Sequence, residues 1–221
     1  MVNAIVNVVE GAARIRFALL VVAMLVLIAG APTLGNDPDV EADVAIVFSL
    51  VVLGLSTATD RIGIAVTMAV LWLWLTWVTP FGTGALGEIA SDAALIVLIA
   101  IAVESALARA LRAQTVDREA ICAALATYLL LGVGWAALYT MIETAAPGSF
   151  ALPAENVDRP WSALLYFSFA TLTTLGYGDV LPLTPPARGG AILQAIAGTF
   201  FMAVLVARLV SIYGTRDNDF A

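Results

Sequence analysis

Six apolar stretches, separated by short polar breaks, set the plan of this chain: residues 17–31, 44–59, 62–79, 93–111, 120–142 and 189–212. A helix needs about 20 apolar residues to cross the hydrocarbon of a bilayer, so the pattern predicts six transmembrane helices. The second stretch is short, and only Asp60-Arg61 parts it from the third, which predicts a tight helical hairpin turning at the headgroups. One further apolar run, 161–173, is too short to span but long enough to enter halfway and stop. Arg159-Pro160 opens it, and proline suits a first helical turn because its φ is fixed and its missing N–H has no partner to lose there. The loop that follows, 174–178, then lies non-helical at membrane depth, which is tolerated only where backbone is buried in protein or lines a wet cavity.

Composition reinforces the membrane reading, because 62% hydrophobic and 12% charged residues in a chain of 221 is far too apolar for a soluble domain. Short cytoplasmic loops collect positive charge. Arg14 and Arg16 precede the first stretch, Arg61 lies between the second and third, and Arg109, Arg112 and Arg118 lie between the fourth and fifth. All fall on one side if both termini are cytoplasmic. The opposite loops carry Asp37, Asp39, Glu41 and Asp43, then Glu88 and Asp92, then Glu143, Glu155 and Asp158, offset only by Arg159 and Arg188. The resulting net charge of −7 argues against a nucleic-acid partner. It fits either an outer mouth that concentrates cations or acidic loops kept for solubility. The apolar run ending at Ala31 is followed by Pro32, which favours a retained first helix over a cleaved signal peptide. The chain has no histidine, and its single Cys122 has no disulfide partner. With no metal-ligand cluster, nucleophile–base pair or phosphate loop in the sequence, neither enzymatic activity nor a cofactor is expected.

The segment Thr171-Leu172-Thr173-Thr174-Leu175-Gly176-Tyr177-Gly178-Asp179 carries the chemistry. A dehydrated monovalent cation needs replacement oxygens, and backbone carbonyls supply neutral dipoles that bind it strongly enough to admit it and weakly enough to release it. Glycine is required where successive carbonyls must all point inward, because Gly176 and Gly178 can take positive φ values that are costly for residues with a Cβ. Thr174 adds a hydroxyl oxygen at the inner end.

This segment resembles the potassium-channel filter signature, and residues 118–213 resemble the pore unit of that family. The resemblance implies an all-α membrane protein with six transmembrane helices plus a re-entrant pore helix and filter loop. It implies a homotetramer, since ringing an ion with carbonyls takes four loops. Thr174, Leu175, Gly176, Tyr177 and Gly178 then form the ion-binding loop, with K+ as the permeant ion held at Thr174, Leu175, Gly176 and Tyr177. The side chains of Leu175 and Tyr177 are expected to point away from the ion and brace the loop. Thr173 and Thr174 border a cavity faced by the partially negative end of the re-entrant helix. Tyr166 and Phe167 occupy the places of a tryptophan pair that in many members hydrogen-bonds the filter tyrosine and the following aspartate. Phe167 cannot form such a bond with Tyr177, while Tyr166 can reach Asp179. Gly198 falls where the family's inner helix has its hinge glycine, although a small residue there also serves close helix packing.

Function divides the chain near residue 115, into a four-helix membrane domain at 1–115 and a pore domain at 116–221. The first four helices stand where a voltage sensor would. A sensor needs several arginines at every third position, and the stretch 93–111 has none before Arg109. Arg109 and Arg112 therefore read as positive-inside anchors, and strong voltage gating is not expected. Glu104 is an ionisable group at depth, suited to sensing protons or cations or to pairing with an arginine. Trp72, Trp74 and Trp77 fit an interfacial aromatic belt. Arg208, near the inner mouth, is expected to face headgroups or an acidic neighbour. The expected function is passive, potassium-selective conduction across the cell membrane by a multi-pass protein with both termini cytoplasmic. A weakly selective monovalent cation channel, a potassium transporter subunit and a non-conducting regulatory subunit remain alternatives.

Overall fold

The computed structural model describes residues 17–18, 20–26, 84–112, 118–157 and 160–217. The expected spans 44–59 and 62–79, the Asp60-Arg61 turn and the three tryptophans of the third stretch lie outside the described residues. So do Arg14, Arg16, the acidic residues between 37 and 43, Asp158 and Arg159.

Four helices organise the described chain: α1, Gly84–Arg112; α2, Arg118–Ala145; α3, Trp161–Leu172; and α4, Pro185–Asp217. Three carry segments long and apolar enough to cross a membrane, Asp92–Arg112, Arg118–Ala145 and Pro185–Arg208, whereas α3 is too short. Both α1 and α4 start earlier than the apolar pattern predicts. The first turn of α4 holds Pro185 and Pro186, and the N–H groups they lack would find no intrahelical acceptor there. The described chain is mostly helical, with one short two-stranded ribbon beside the helices. Strands β1, Phe150–Ala151, and β2, Leu181–Pro182, pair antiparallel, Phe150 opposite Pro182 and Ala151 opposite Leu181. The ribbon arises because the chain entering α3 and the chain leaving the loop after it pass side by side.

Helices α1 and α2 form a hairpin whose contact is built largely from alanine. Ala94, Ala102, Ala106 and Ala110 are buried on α1, and Ala123, Ala124, Ala126, Ala136 and Ala137 on α2, all in one apolar cluster. Small side chains let helix backbones approach closely, which substitutes for the hydrophobic drive that lipid does not supply. At the end of the hairpin that carries the connection 113–117, Arg109 of α1 donates to the carboxylate of Glu119 of α2 at 2.9 Å. Phe17, Leu20 and Met24, spaced to share one helical face, are buried in the same cluster, which Leu165 of α3 also joins. Helix α1 thus packs along the α2 that follows it in the chain.

Candidate functional site

Helix α3 is set up from its first residue. Pro160 has αR dihedrals, φ −74° and ψ −12°, and its carbonyl accepts the N–H of Leu164 at 2.9 Å. Beyond the last helical residue, Leu172, the chain folds back on the helix end, and every one of the last four helical carbonyls is engaged. The Phe169 carbonyl accepts both the N–H (3.0 Å) and the hydroxyl (2.7 Å) of Thr173. The Ala170 carbonyl accepts the N–H groups of Leu175 (2.8 Å) and Gly176 (3.2 Å), and the Thr171 carbonyl that of Thr174 (3.1 Å). The Leu172 carbonyl accepts the Tyr128 hydroxyl of α2 at 3.1 Å. These bonds satisfy acceptors that a helix C-terminus leaves open.

The same bonds fix the direction of the loop carbonyls. All peptide bonds are trans, and in a trans peptide the C=O points opposite to the N–H it is joined to. Because the N–H groups of Leu175 and Gly176 point back to Ala170, the carbonyls of Thr174 and Leu175 point away from α3. Positive φ recurs at alternate positions, Thr174 (58°), Gly176 (55°) and Gly178 (80°), with Leu175 and Tyr177 on the negative side. Alternating handedness of this kind gathers like backbone groups onto one side of a strand. A Cβ at Gly176 or Gly178 would meet nothing within 4 Å, so glycine is required there by conformation rather than by space in the single chain. Thr174 is the unexpected member. A β-branched residue with positive φ is a rare, strained conformation, and it completes an alternation that the glycines alone begin.

Residues 173–179 are all exposed in the single chain, Leu175 by 52% and Tyr177 by 71%. The two side chains expected to brace the loop are therefore left largely uncovered by their own chain. The rest of the wall is ordered from behind. Tyr166 interacts with the Asp179 carboxylate through a side-chain hydrogen bond and by charge, and the Val180 N–H also donates to Asp179 at 3.1 Å. Phe167 takes no part in this contact. It turns to α2 and the ribbon, with its ring centroid 5.2 Å from that of Tyr139 and 5.5 Å from that of Phe150. Aromatic contacts at these distances contribute beyond simple burial, so Phe167 anchors α3 rather than Tyr177.

Gly198 lies within unbroken α4 and is buried against α3. A Cβ there would come within 2.8 Å of Leu172 Cδ1 and 3.0 Å of the Leu172 carbonyl oxygen. The close packing anticipated as the plainer role of this glycine has a visible cause, and a hinge would have to operate at this same contact. Gly132 of α2 is a second such position, since a Cβ would overlap the Phe169 ring.

Several residues that position the site were not singled out by sequence. Gln194 of α4, Ser168 of α3 and Tyr139 of α2 are fully buried and bonded to one another. The signal was present, since a glutamine in the middle of an apolar membrane helix is costly unless partnered. Glu143, expected to add negative charge to the outer face, has both oxygens engaged. It accepts the N–H groups of Gly148 (2.7 Å) and Phe150 (2.9 Å), closing the turn at the end of α2. Of the other ionisable candidates, Glu104 is exposed on α1, and Arg208 is half-buried with its Nε inside the protein.

A family model described as "Ion channel" matches residues 124–214, from within α2 to near the end of α4. Two pore potassium channel c of Oryza sativa subsp. japonica is 37% identical over 87 residues, 39% of this chain and 17% of that protein. Inward rectifier potassium channel Kirbac3.1 of Paramagnetospirillum magnetotacticum is 32% identical over 80 residues, 36% of this chain and 23% of that protein. Protein LctB of Bacillus caldotenax is 32% identical over 87 residues, 38% of this chain and 64% of that protein. The matches thus cover less than two thirds of each of these relatives. No solved structure matches. The Thr174–Gly178 loop falls inside the matched region, so the part of this chain that holds it is similar to ion channels, two of these relatives being named as potassium channels.

Proposed function

We propose that four copies of this chain assemble around a common axis and conduct K+ passively, through a filter made of the Thr174–Gly178 loops. The observation that carries this reading is the backbone of that loop. Its N–H groups at 175 and 176 are turned toward α3, its positive φ values alternate, and the carbonyls of Thr174 and Leu175 are free on the far side. A row of uncharged oxygens on one side of a loop is what a dehydrated monovalent cation needs. One row does not surround an ion, and three further copies complete the ring.

Exposure supports the assembly. The most apolar part of α2 is 50% buried within the chain, but that of α4 only 17%. Ile192, Leu193, Ile196, Phe200 and Val204 of α4 are exposed alongside Leu175 and Tyr177. An apolar face next to an unpacked filter loop suits contact with a second copy, with lipid covering what remains. Arg109 and Arg112 in the last turn of α1, with Arg118 at the start of α2, favour a cytoplasmic position for that end. The proposed protein is a multi-pass resident of the cell membrane with both termini cytoplasmic. With no arginine in α1 before Arg109, opening is expected to depend weakly on voltage.

Reconstitution into liposomes tests the proposal. Vesicles loaded with K+ and diluted into K+-free medium should release it when a protonophore balances charge, and native mass measurement of the purified protein should give four chains. Equal release from Na+-loaded vesicles would replace the selective channel by a weakly selective one. Release that requires a gradient of a second ion would indicate a transporter subunit.

A further inference from the structure

We propose that Gln194 is the positioning residue that seats α3 against α4 and so holds the filter loop at its selective width; this rests on the filter reading above. Gln194 has no solvent exposure, and both ends of its amide are used. Its Nε2 donates to the Ser168 carbonyl (3.0 Å) and the Ser168 hydroxyl oxygen (2.7 Å). Its Oε1 accepts the Tyr139 hydroxyl at 2.5 Å. Ser168 in turn donates its hydroxyl to the Gly132 carbonyl at 2.6 Å. Gln194 of α4 thereby ties Ser168 of α3 to Tyr139 of α2, and Ser168 itself adds a second point on α2, at Gly132, two helical turns away.

The connection from this network to the filter is short. Ser168 lies two residues before Ala170, whose carbonyl receives the Leu175 and Gly176 N–H groups. One helical turn further along, Gly198 meets Leu172. Gln194 pairs with Ser168 and Gly198 with Leu172, and each step is four residues on both helices, so one face of α4 follows one face of α3 down to the filter. Apolar contacts tolerate sliding and rotation of packed helices. A buried polar group with specific partners does not, and single polar residues at buried positions are known devices for fixing register. A site that must hold its ligands to within about 0.5 Å depends on such support. Gln194 touches no ion in this arrangement and acts through α3.

Wild type, Gln194→Met and Tyr139→Phe, each as the full chain in planar bilayers with K+ on one side and Na+ on the other, provide the test. Methionine keeps length and volume and removes every hydrogen bond. Gln194→Met is expected to remain tetrameric while its Na+ to K+ permeability ratio rises at least tenfold, with Tyr139→Phe rising less. A Gln194→Met channel that conducts with the wild-type ratio overturns the proposal. If Gln194→Met does not fold, Tyr139→Phe, which deletes one hydroxyl, decides by the same comparison: a raised ratio supports the network and an unchanged ratio overturns it. If wild type itself fails to select K+, the functional reading fails separately. Amide hydrogen exchange at Leu175 and Gly176 then decides the positioning claim, with at least tenfold faster exchange in Tyr139→Phe supporting it and unchanged exchange overturning it.

Discussion

Gly178→Ala is expected to abolish selective K+ conduction, while Gly148→Ala leaves it intact. The two glycines make a matched pair. Gly178 has φ 80° and Gly148 φ 84°, and neither has an atom within 4 Å of where a Cβ would sit. Alanine at either position therefore meets conformational strain and no clash. An L-residue in the left-handed region costs roughly 1–2 kcal/mol, which in a ring of four Gly178 positions sums to about 4–8 kcal/mol. Relieving that strain by flipping a peptide would swing a carbonyl out of the row and bring an N–H toward a cation. Gly148 instead lies in the turn at the end of α2 closed by Glu143, where the same strain is local. Conductance and permeability ratio, measured side by side for the two variants, check the expectation. Loss in both, or in neither, would detach the filter's function from its dihedral angles.

The second large effect is expected at Gly198. Gly198→Ala places a methyl group against the Leu172 carbonyl, which is backbone and cannot rotate away, and which also accepts the Tyr128 hydroxyl at 3.1 Å. Overpacking of this kind costs about 1–3 kcal/mol, and each chain of an assembly incurs it. Thermal dissociation of the proposed tetramer should move to lower temperature in Gly198→Ala. A role confined to hinging predicts a different result, since alanine stiffens a helix: unchanged thermal stability with an altered open probability. The two readings separate in one pair of measurements.

Residues whose backbone needs were extreme could be read from the sequence. Gly176 and Gly178 are demanded by positive φ, Pro160 by a helix start, and the spans by the length of the hydrocarbon core. Each is a local requirement that one residue type meets best. Thr174 was legible as an oxygen donor but not as a residue of positive φ, because threonine is among the side chains that disfavour that conformation. Phe167 was placed near the filter by its position in the motif, and the structure turns it toward Tyr139 and Phe150 instead. Which face of a short, uniformly apolar helix looks where depends on its neighbours, and periodicity is silent on it. The Gln194 network escaped for a related reason, as its partners Ser168 and Tyr139 are 26 and 55 residues away in sequence. The ribbon between β1 and β2 is two residues long on each side, too short to leave an alternating pattern. The helix ends were displaced, by as much as nine residues at the start of α1, because polarity changes at the membrane surface while helices continue past it.

Reversal potential under bi-ionic conditions tests the central claim most directly. With purified protein in a planar bilayer, K+ on one side and Na+ on the other at equal concentration, the current should reverse far toward the K+ equilibrium potential. Its open probability should change only gradually as voltage is stepped through both polarities. Reversal near zero would contradict the account, because a loop that presents Thr174 and Leu175 carbonyls to the ion would then not be discriminating between the two cations.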